Sequence, residues 1–117
     1  MAKAIPSKDG IVLQVTQSND APRRYFDLTT GNERYNFDEA HAIWLARYYT
    51  GLNETKIKSI NFQTTFDESY PWVNRLLPVY RITFDTPDNR TAFIYTELGA
   101  LASLTNTIKT IGQSVFV

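Results

Sequence analysis

Residues 70–81 hold the densest group of side chains suited to molecular recognition. Six of them form the candidate site: Tyr70, Trp72, Arg75, Pro78, Tyr80 and Arg81. Aromatic rings and arginine dominate the energetics of many protein interfaces, because they offer a large, stiff contact area and a planar cation. Their concentration in this segment predicts a partner-binding surface.

The same segment allows a structural interpretation. Trp72 and Tyr80 would then fill the core between a sheet and a helix. Arg75 would stack over these rings, or it would pair with Asp67 or Glu68. The sequence leaves both interpretations open.

Side chains that could act in catalysis are sparse. His41 is the single histidine and cysteine is absent, so a zinc site or a Ser-His-acid triad would have to use this one residue. The five glycines are spread singly and form no phosphate-binding motif. We therefore predict no catalytic residues, no metal site and no cofactor, and we assign His41 a structural or surface role.

The length of the chain predicts a single domain, and its basic and acidic side chains balance to a net charge of zero. The chain has 117 residues, with 12 basic and 12 acidic side chains, which is enough for a single core. The basic residues are scattered, which argues against nucleic acid as a partner. No apolar run approaches the roughly 18 residues that span a bilayer, and no signal peptide is recognisable, so the chain as given is expected to be soluble.

Residues 37–50 carry the clearest helix signal. Asn36 can cap the helix, with Glu39 as its capping-box partner. Gly51 is placed to end the helix in a left-handed conformation, with Leu52 supplying an apolar contact. The predicted apolar stripe comprises Phe37, Ala40, His41, Trp44 and Tyr48.

Alternating apolar and polar residues predict five strands around this helix. They cover residues 11–16, 24–28, 56–66, 80–84 and 93–96. Pro71 interrupts the alternation after the third strand and indicates a loop. The order ββ-α-βββ favours an α+β fold, in which one antiparallel sheet carries the helix on one face.

The first and last strand pairs are similar in sequence. LQVT at Leu13 aligns with YRIT at Tyr80, and YFD at Tyr25 aligns with FIY at Phe93. Each pair is followed by a glycine. An internal duplication and two ordinary hairpins both explain this pattern.

The segment RLLPVYRITFD, followed after a turn by FIYTELGAL, resembles the PepSY domain found in PepSY-associated membrane proteins. The matching residues are Arg75, Leu77, Pro78, Tyr80 and Arg81. Where the family usually has Asp-x-x-Thr-Gly, residues 96–99 keep the glycine but lack the threonine before it. Residues 27–31 keep the whole signature, and the resemblance extends over residues 11–102.

This resemblance implies a cystatin-like α+β domain over residues 11–102 with no enzymatic activity. Residues 1–10 would form a flexible N-terminus, and residues 103–117, with a possible helix, would lead to a membrane span in a longer parent protein. That parent would be a bacterial inner-membrane protein, with this domain on the periplasmic side. The apolar end of the sequence also favours a piece of a longer chain.

Three functions remain open from the sequence. The first is a non-catalytic binding or regulatory module that contacts a protein partner or the membrane domain of its own parent. The second is a sensor for an iron chelate or a haem-like molecule, held by Trp44, Tyr48 and Tyr80. The third is a peptidase-inhibitory module, a role that some PepSY units have.

Overall fold

The computed structural model describes residues 2–106, which form one helix and two antiparallel sheets. The helix is α1 (Phe37–Thr50). The first sheet has the order β1-β2-β3 and contains β1 (Ala2–Ser7), β2 (Gly10–Val15) and β3 (Arg24–Asp27). The second has the order β4-β5-β6-β7 and contains β4 (Ile57–Gln63), β5 (Val79–Phe84), β6 (Thr91–Tyr95) and β7 (Ala100–Thr105).

The α+β prediction is confirmed, whereas the single sheet in the order ββ-α-βββ is not what the structure shows. Two edge strands account for part of the difference. Residues 2–7, expected to be flexible, pair with β2 from Ala2 opposite Val15 to Ser7 opposite Gly10. Pro6 is tolerated there because an edge strand has one unpaired side.

The last strand, β7, was also absent from the prediction. Its sequence, ALASLT, contains small residues of weak strand preference, so its structure depends on pairing with β6. The C-terminal segment that was predicted to lead to a membrane span, with a possible helix, covers residues 103–117. Its first three residues, 103–105, belong to β7, and residues 107–117 lie outside the described residues. No helix within residues 2–106 has the length and apolar character needed to cross a membrane.

Both predicted hairpins are present. β2 pairs with β3, β5 pairs with β6, and both pairs are antiparallel. A glycine of positive φ follows each hairpin, Gly31 at 79° and Gly99 at 62°. After each glycine the chain turns back to pair with the second strand of its hairpin. In the first hairpin this pairing is one isolated bridge, between Phe26 and Glu33, whereas in the second it is the full strand β7. The duplication itself remains a hypothesis.

The helix has the predicted bounds and the predicted C-terminal end. Gly51 adopts a φ of 75°, and its N–H donates to the Arg47 carbonyl at 2.8 Å. Leu52 packs against the core, as expected. The predicted capping box is wrong, because Asn36 adopts a left-handed conformation and its side chain makes no capping hydrogen bond.

The buried face of the helix differs from the predicted stripe. Phe37 and His41 are buried, but Trp44 is 36% exposed and Tyr48 is 73% exposed. The inward positions are instead Asp38, Ala42, Leu45 and Ala46. The two alanines allow the helix to approach the second sheet, while Phe37 packs with Val12 and Tyr25 of the first sheet.

The Asp38 carboxylate explains why a polar position faces inward. It accepts a hydrogen bond from the Tyr25 hydroxyl at 2.5 Å and one from the backbone N–H of Arg23 at 3.1 Å. Tyr80 of the second sheet also interacts with it. Burial, followed by the charge and hydrogen bond of Asp38, raises the pKa of both Tyr25 and Tyr80, which keeps these hydroxyls protonated as donors.

A second set of contacts joins the two sheets directly. Glu97, in the turn between β6 and β7, accepts hydrogen bonds from Arg23 at 2.9 Å and from Thr16. Lys3 lies 3.8 Å from its carboxylate and also donates to its backbone carbonyl. Beside them, the Gln14 side chain donates to the Thr96 carbonyl at 2.9 Å. The first sheet is therefore held against one end of the second.

Replacing Asp38 with alanine is expected to destabilise the fold by about 3 kcal/mol, because it leaves buried donors of both sheets without their acceptor. Denaturant unfolding monitored by circular dichroism measures this change. Glu39→Ala is the matched control: this exposed neighbour on the same helical turn is expected to cost under about 1 kcal/mol. Similar losses for both variants would contradict the role given to Asp38.

Stability is also expected to fall in acid through Glu97. Burial alone would raise the pKa of Glu97, but the hydrogen bonds from Thr16 and Arg23 and the charges of Arg23 and Lys3 lower it below its ordinary value of 4.5. The stabilisation is therefore present above the ordinary pKa and is lost as the pH falls through the folded-state pKa.

The Glu97→Gln variant should therefore be less stable at pH 7 than the domain with its own sequence. Its free energy of unfolding should also change less between about pH 5 and pH 3, which a urea titration series measures. Other carboxylates keep some pH dependence in the variant. Glu54→Gln, a change in an exposed loop, serves as the control. The prediction would be contradicted if the free energy of unfolding of Glu97→Gln depended on pH in the same way as that of the unsubstituted domain.

Candidate functional site

The connection between β4 and β5, residues 64–78, is called the Trp72 loop here. It covers the face of the second sheet that is opposite the helix. Tyr70 is fully buried on that face and stacks on Phe93 of β6, with ring centroids 4.7 Å apart, and on Phe66, 5.7 Å away. Ala92 and Ile94, on either side of Phe93, pack in the cluster on the helix side. The sheet is therefore covered on both faces.

The Trp72 loop is held by its own hydrogen bonds. The Asp67 carboxylate accepts the backbone N–H groups of Ser69 at 3.0 Å and Tyr70 at 2.9 Å. The Tyr70 hydroxyl donates to the Leu76 carbonyl at 2.7 Å and thereby joins the middle of the loop to its last residues. Such internal pairing orders a loop without a regular sheet partner.

The tip of the loop, residues 72–75, projects two apolar side chains into solvent. A 3-10 turn, Trp72–Asn74, follows Pro71, and Trp72 and Val73 are 69% and 64% exposed. Arg75 ends the turn with a φ of 67°, and its N–H donates to the Trp72 carbonyl at 3.0 Å. Arg75 is exposed, and no carboxylate within residues 2–106 lies at salt-bridge distance from it.

The structure divides the six predicted site residues into two groups. Trp72 and Arg75 are exposed at the tip of the loop, and Arg81 is half-buried at its base. Tyr70, Pro78 and Tyr80 are buried. The first three residues can therefore contact a partner, while the other three support the loop and the sheet.

The structural interpretation of this segment holds for some of its residues and not for others. Tyr80 fills the core on the helix side, as the structural interpretation expected, whereas Trp72 does not. The partner of Asp67 is Arg81, at 3.8 Å, rather than Arg75. The Arg81 guanidinium also lies 5.7 Å from the centre of the Phe93 ring.

Val73 belongs to the exposed tip but was not among the predicted site residues. Its position beside Trp72 in a proline-flanked loop was the only available signal, and the sequence pattern gives no inward or outward alternation there. Asp67 is a second residue whose role the sequence does not reveal. The sequence suggests only a salt bridge with Arg75, whereas in the structure the Asp67 carboxylate holds the loop by accepting backbone N–H groups. Hydrogen bonds from Ser69 lower the pKa of Asp67, with further contributions from the Tyr70 N–H and the charge of Arg81.

The residues proposed for an iron chelate or haem-like ligand do not come together. Tyr80 lines a groove at the start of α1 with Phe62 and Asp38. Trp44 lines a different groove, beside β1. Tyr48 is mostly exposed and packs edge-on against Tyr49.

His41 is buried, and its ring stacks with the rings of Phe37 and Trp44, whose centroids lie 6.2 and 5.7 Å from its own. Burial lowers its pKa, and the Asp38 charge opposes this shift in part. Within residues 2–106 there is no group of three or more histidine, aspartate or glutamate side chains that could hold a metal ion.

No protein-family model, curated protein or solved structure matches the chain. The geometry of the chain itself is therefore the basis for a functional proposal. In the Trp72 loop, an exposed tryptophan and an exposed arginine lie on a support that ring stacking and hydrogen bonds hold in place.

Tyr70→Ala is expected to destabilise the fold by about 3–5 kcal/mol, because it removes a buried ring between Phe66 and Phe93. Trp72→Ala should cost no more than about 0.5 kcal/mol, because the Trp72 side chain is largely exposed. Thermal or denaturant unfolding of the two variants tests this division of roles. A large loss of stability in Trp72→Ala would show that this ring is part of the core.

Proposed function

We propose that this chain is a non-catalytic binding domain that contacts a protein through the tip of the Trp72 loop, formed by Trp72, Val73 and Arg75. The observation that carries the proposal is the pairing of a buried anchor, Tyr70, with an exposed tryptophan two residues later. The anchor fixes the backbone, and the tip presents contact area to solvent.

The energetics of binding favour such a tip. Residues that dominate interfaces are most often tryptophan, tyrosine and arginine. A loop that is already closed by hydrogen bonds loses little further conformational freedom when a partner covers it. Arg75, which has no carboxylate partner among the described residues, can pair with an acidic or carbonyl group of that partner.

The wider setting is proposed from the resemblance to PepSY domains. On that basis the domain belongs to a membrane-anchored bacterial protein and faces the periplasm, and its partner is either a separate protein or the membrane domain of its own parent. The matching residues include Arg75, Pro78 and Arg81, which lie in or next to the Trp72 loop.

Site-specific photo-crosslinking tests the binding surface. A photoreactive phenylalanine analogue replaces Trp72 in the full-length parent protein, and the control places it at Tyr35, which is 78% exposed. We expect a discrete protein adduct after irradiation at position 72 and none at position 35. An adduct within one chain would identify the parent's membrane domain, and an adduct of higher mass would identify a separate partner.

The double replacement Trp72→Ala and Arg75→Ala should then weaken association with the crosslinked partner by about 30-fold or more, given the usual contribution of such anchors. Tyr35→Ala provides the matched control. Unfolding measurements should confirm that both variants remain folded. Unchanged association of the double variant would remove the Trp72 loop as the binding surface.

A further inference from the structure

A second candidate surface, which is concave, lies on the helix side of the molecule and is called the Trp44 groove here. Its walls come from β1, from α1 and from the turn of residues 96–99, and it encloses about 230 Å³. The side chains that shape it are Ile5, Pro6, His41, Trp44, Leu45 and Leu98. This groove is independent of the Trp72 loop, which covers the other face of the second sheet.

The Trp44 groove lies where a series of stacked rings ends. Along α1, Phe37 stacks on His41 with an interplanar angle of 12°, and His41 stacks on Trp44 with an angle of 22°. Trp44 is the last ring of this series and is 36% exposed. Flat aromatic surfaces attract further rings in offset-stacked or edge-on arrangements.

The charged groups at the rim of the groove already pair with each other. Lys3 lies 3.8 Å from the Glu97 carboxylate, which also receives Arg23. A charged ligand would have to compete with these contacts, and its own charge would have no free partner in the groove. The electrostatics therefore favour a neutral occupant.

His41, one of the residues that line the groove, has a polar atom without a partner. Its Nδ1 atom is buried and has no hydrogen-bond partner among the described residues. Because burial lowers the pKa of His41, the imidazole is neutral near pH 7 and keeps one nitrogen as an acceptor. An N–H or O–H group on a ligand is the chemistry that such an acceptor pairs with.

We propose that the Trp44 groove binds a small, neutral, planar aromatic molecule of one or two rings that carries one hydrogen-bond donor, as phenols and indoles do. The volume supports this size, because pockets for larger drug-like ligands enclose about 300–1,000 Å³. The ligand would lie between Trp44 and the apolar wall of Ile5 and Leu98. A turn of the His41 ring would bring its Nδ1 atom, which is buried in the free protein, within reach of the donor of the ligand.

The two tryptophans of the chain allow a direct test with indole as the probe. In ¹⁵N-labelled protein, the Trp44 ring N–H signal should shift in a saturable manner as indole is added, while the Trp72 ring N–H signal stays in place. Equal shifts at both tryptophans, or a lack of saturation up to the solubility limit of indole, would overturn the proposal.

Variants then test the walls of the groove, with the backbone N–H signals of Leu98 and Gly99 as the readout. Trp44→Ala should weaken indole binding about tenfold, and Leu98→Ala about threefold. Leu104→Ala, a change at a half-exposed leucine of β7 outside the groove, should leave binding unchanged. If Trp44→Ala bound indole with the same affinity as the unsubstituted domain, this result would contradict the proposed site.

Two further probes test the chemistry of the ligand. 1-Methylindole lacks the N–H donor and should bind about tenfold more weakly than indole. N-acetyltryptophanamide presents the same ring as part of a polypeptide and should also bind more weakly. Tighter binding of the amide would overturn the small-molecule assignment in favour of a protein side chain.

Discussion

The buried carboxylate of Asp38 is the interaction on which the rest of the structure depends. A charge taken out of water is costly unless hydrogen bonds replace its hydration. Asp38 obtains them from the Tyr25 hydroxyl of the first sheet and from the backbone N–H of Arg23, which precedes β3. Tyr80 contributes from the second sheet. Meeting these donors fixes the rotation of α1 about its axis. That rotation buries Ala42 and Ala46 against the second sheet and leaves Trp44 at the surface.

The two candidate surfaces follow from how the second sheet is covered. The helix occupies one face, so the side chains of Tyr80, Ile82 and Phe84 point toward it, whereas Val79 and Phe93 meet the Trp72 loop on the other face. Near-continuous burial along β5 and β6 is the expected result of two covered faces. Each covering element then keeps one outer side in solvent, and each carries a tryptophan there.

The parts of the fold that could be predicted from the sequence are those with local signals. The helix ends where Gly51 can adopt a positive φ, and the central hairpins show alternation in residues that are adjacent in the chain. β1 and β7 could not be predicted, because Pro6 and the small residues of β7 leave strand formation to their neighbours. The same limit applies to the candidate site: Tyr70 and Trp72 have similar chemistry, and an irregular loop has no period to separate inward from outward positions.

The contrast between Tyr70 and Trp72 also bears on why an aromatic ring is exposed at all. The loop contains enough internal structure to bury one large ring completely, through stacking on Phe93 and a hydrogen bond to the Leu76 carbonyl. Trp72 lies two residues later and is separated from Tyr70 only by Pro71, yet the 3-10 turn and the positive φ of Arg75 direct the chain so that Trp72 and Val73 face solvent. Apolar surface that stays in water contributes no hydrophobic free energy to folding. Covering this area with another surface would gain free energy, which is the physical basis for proposing that the tip of the Trp72 loop binds a partner.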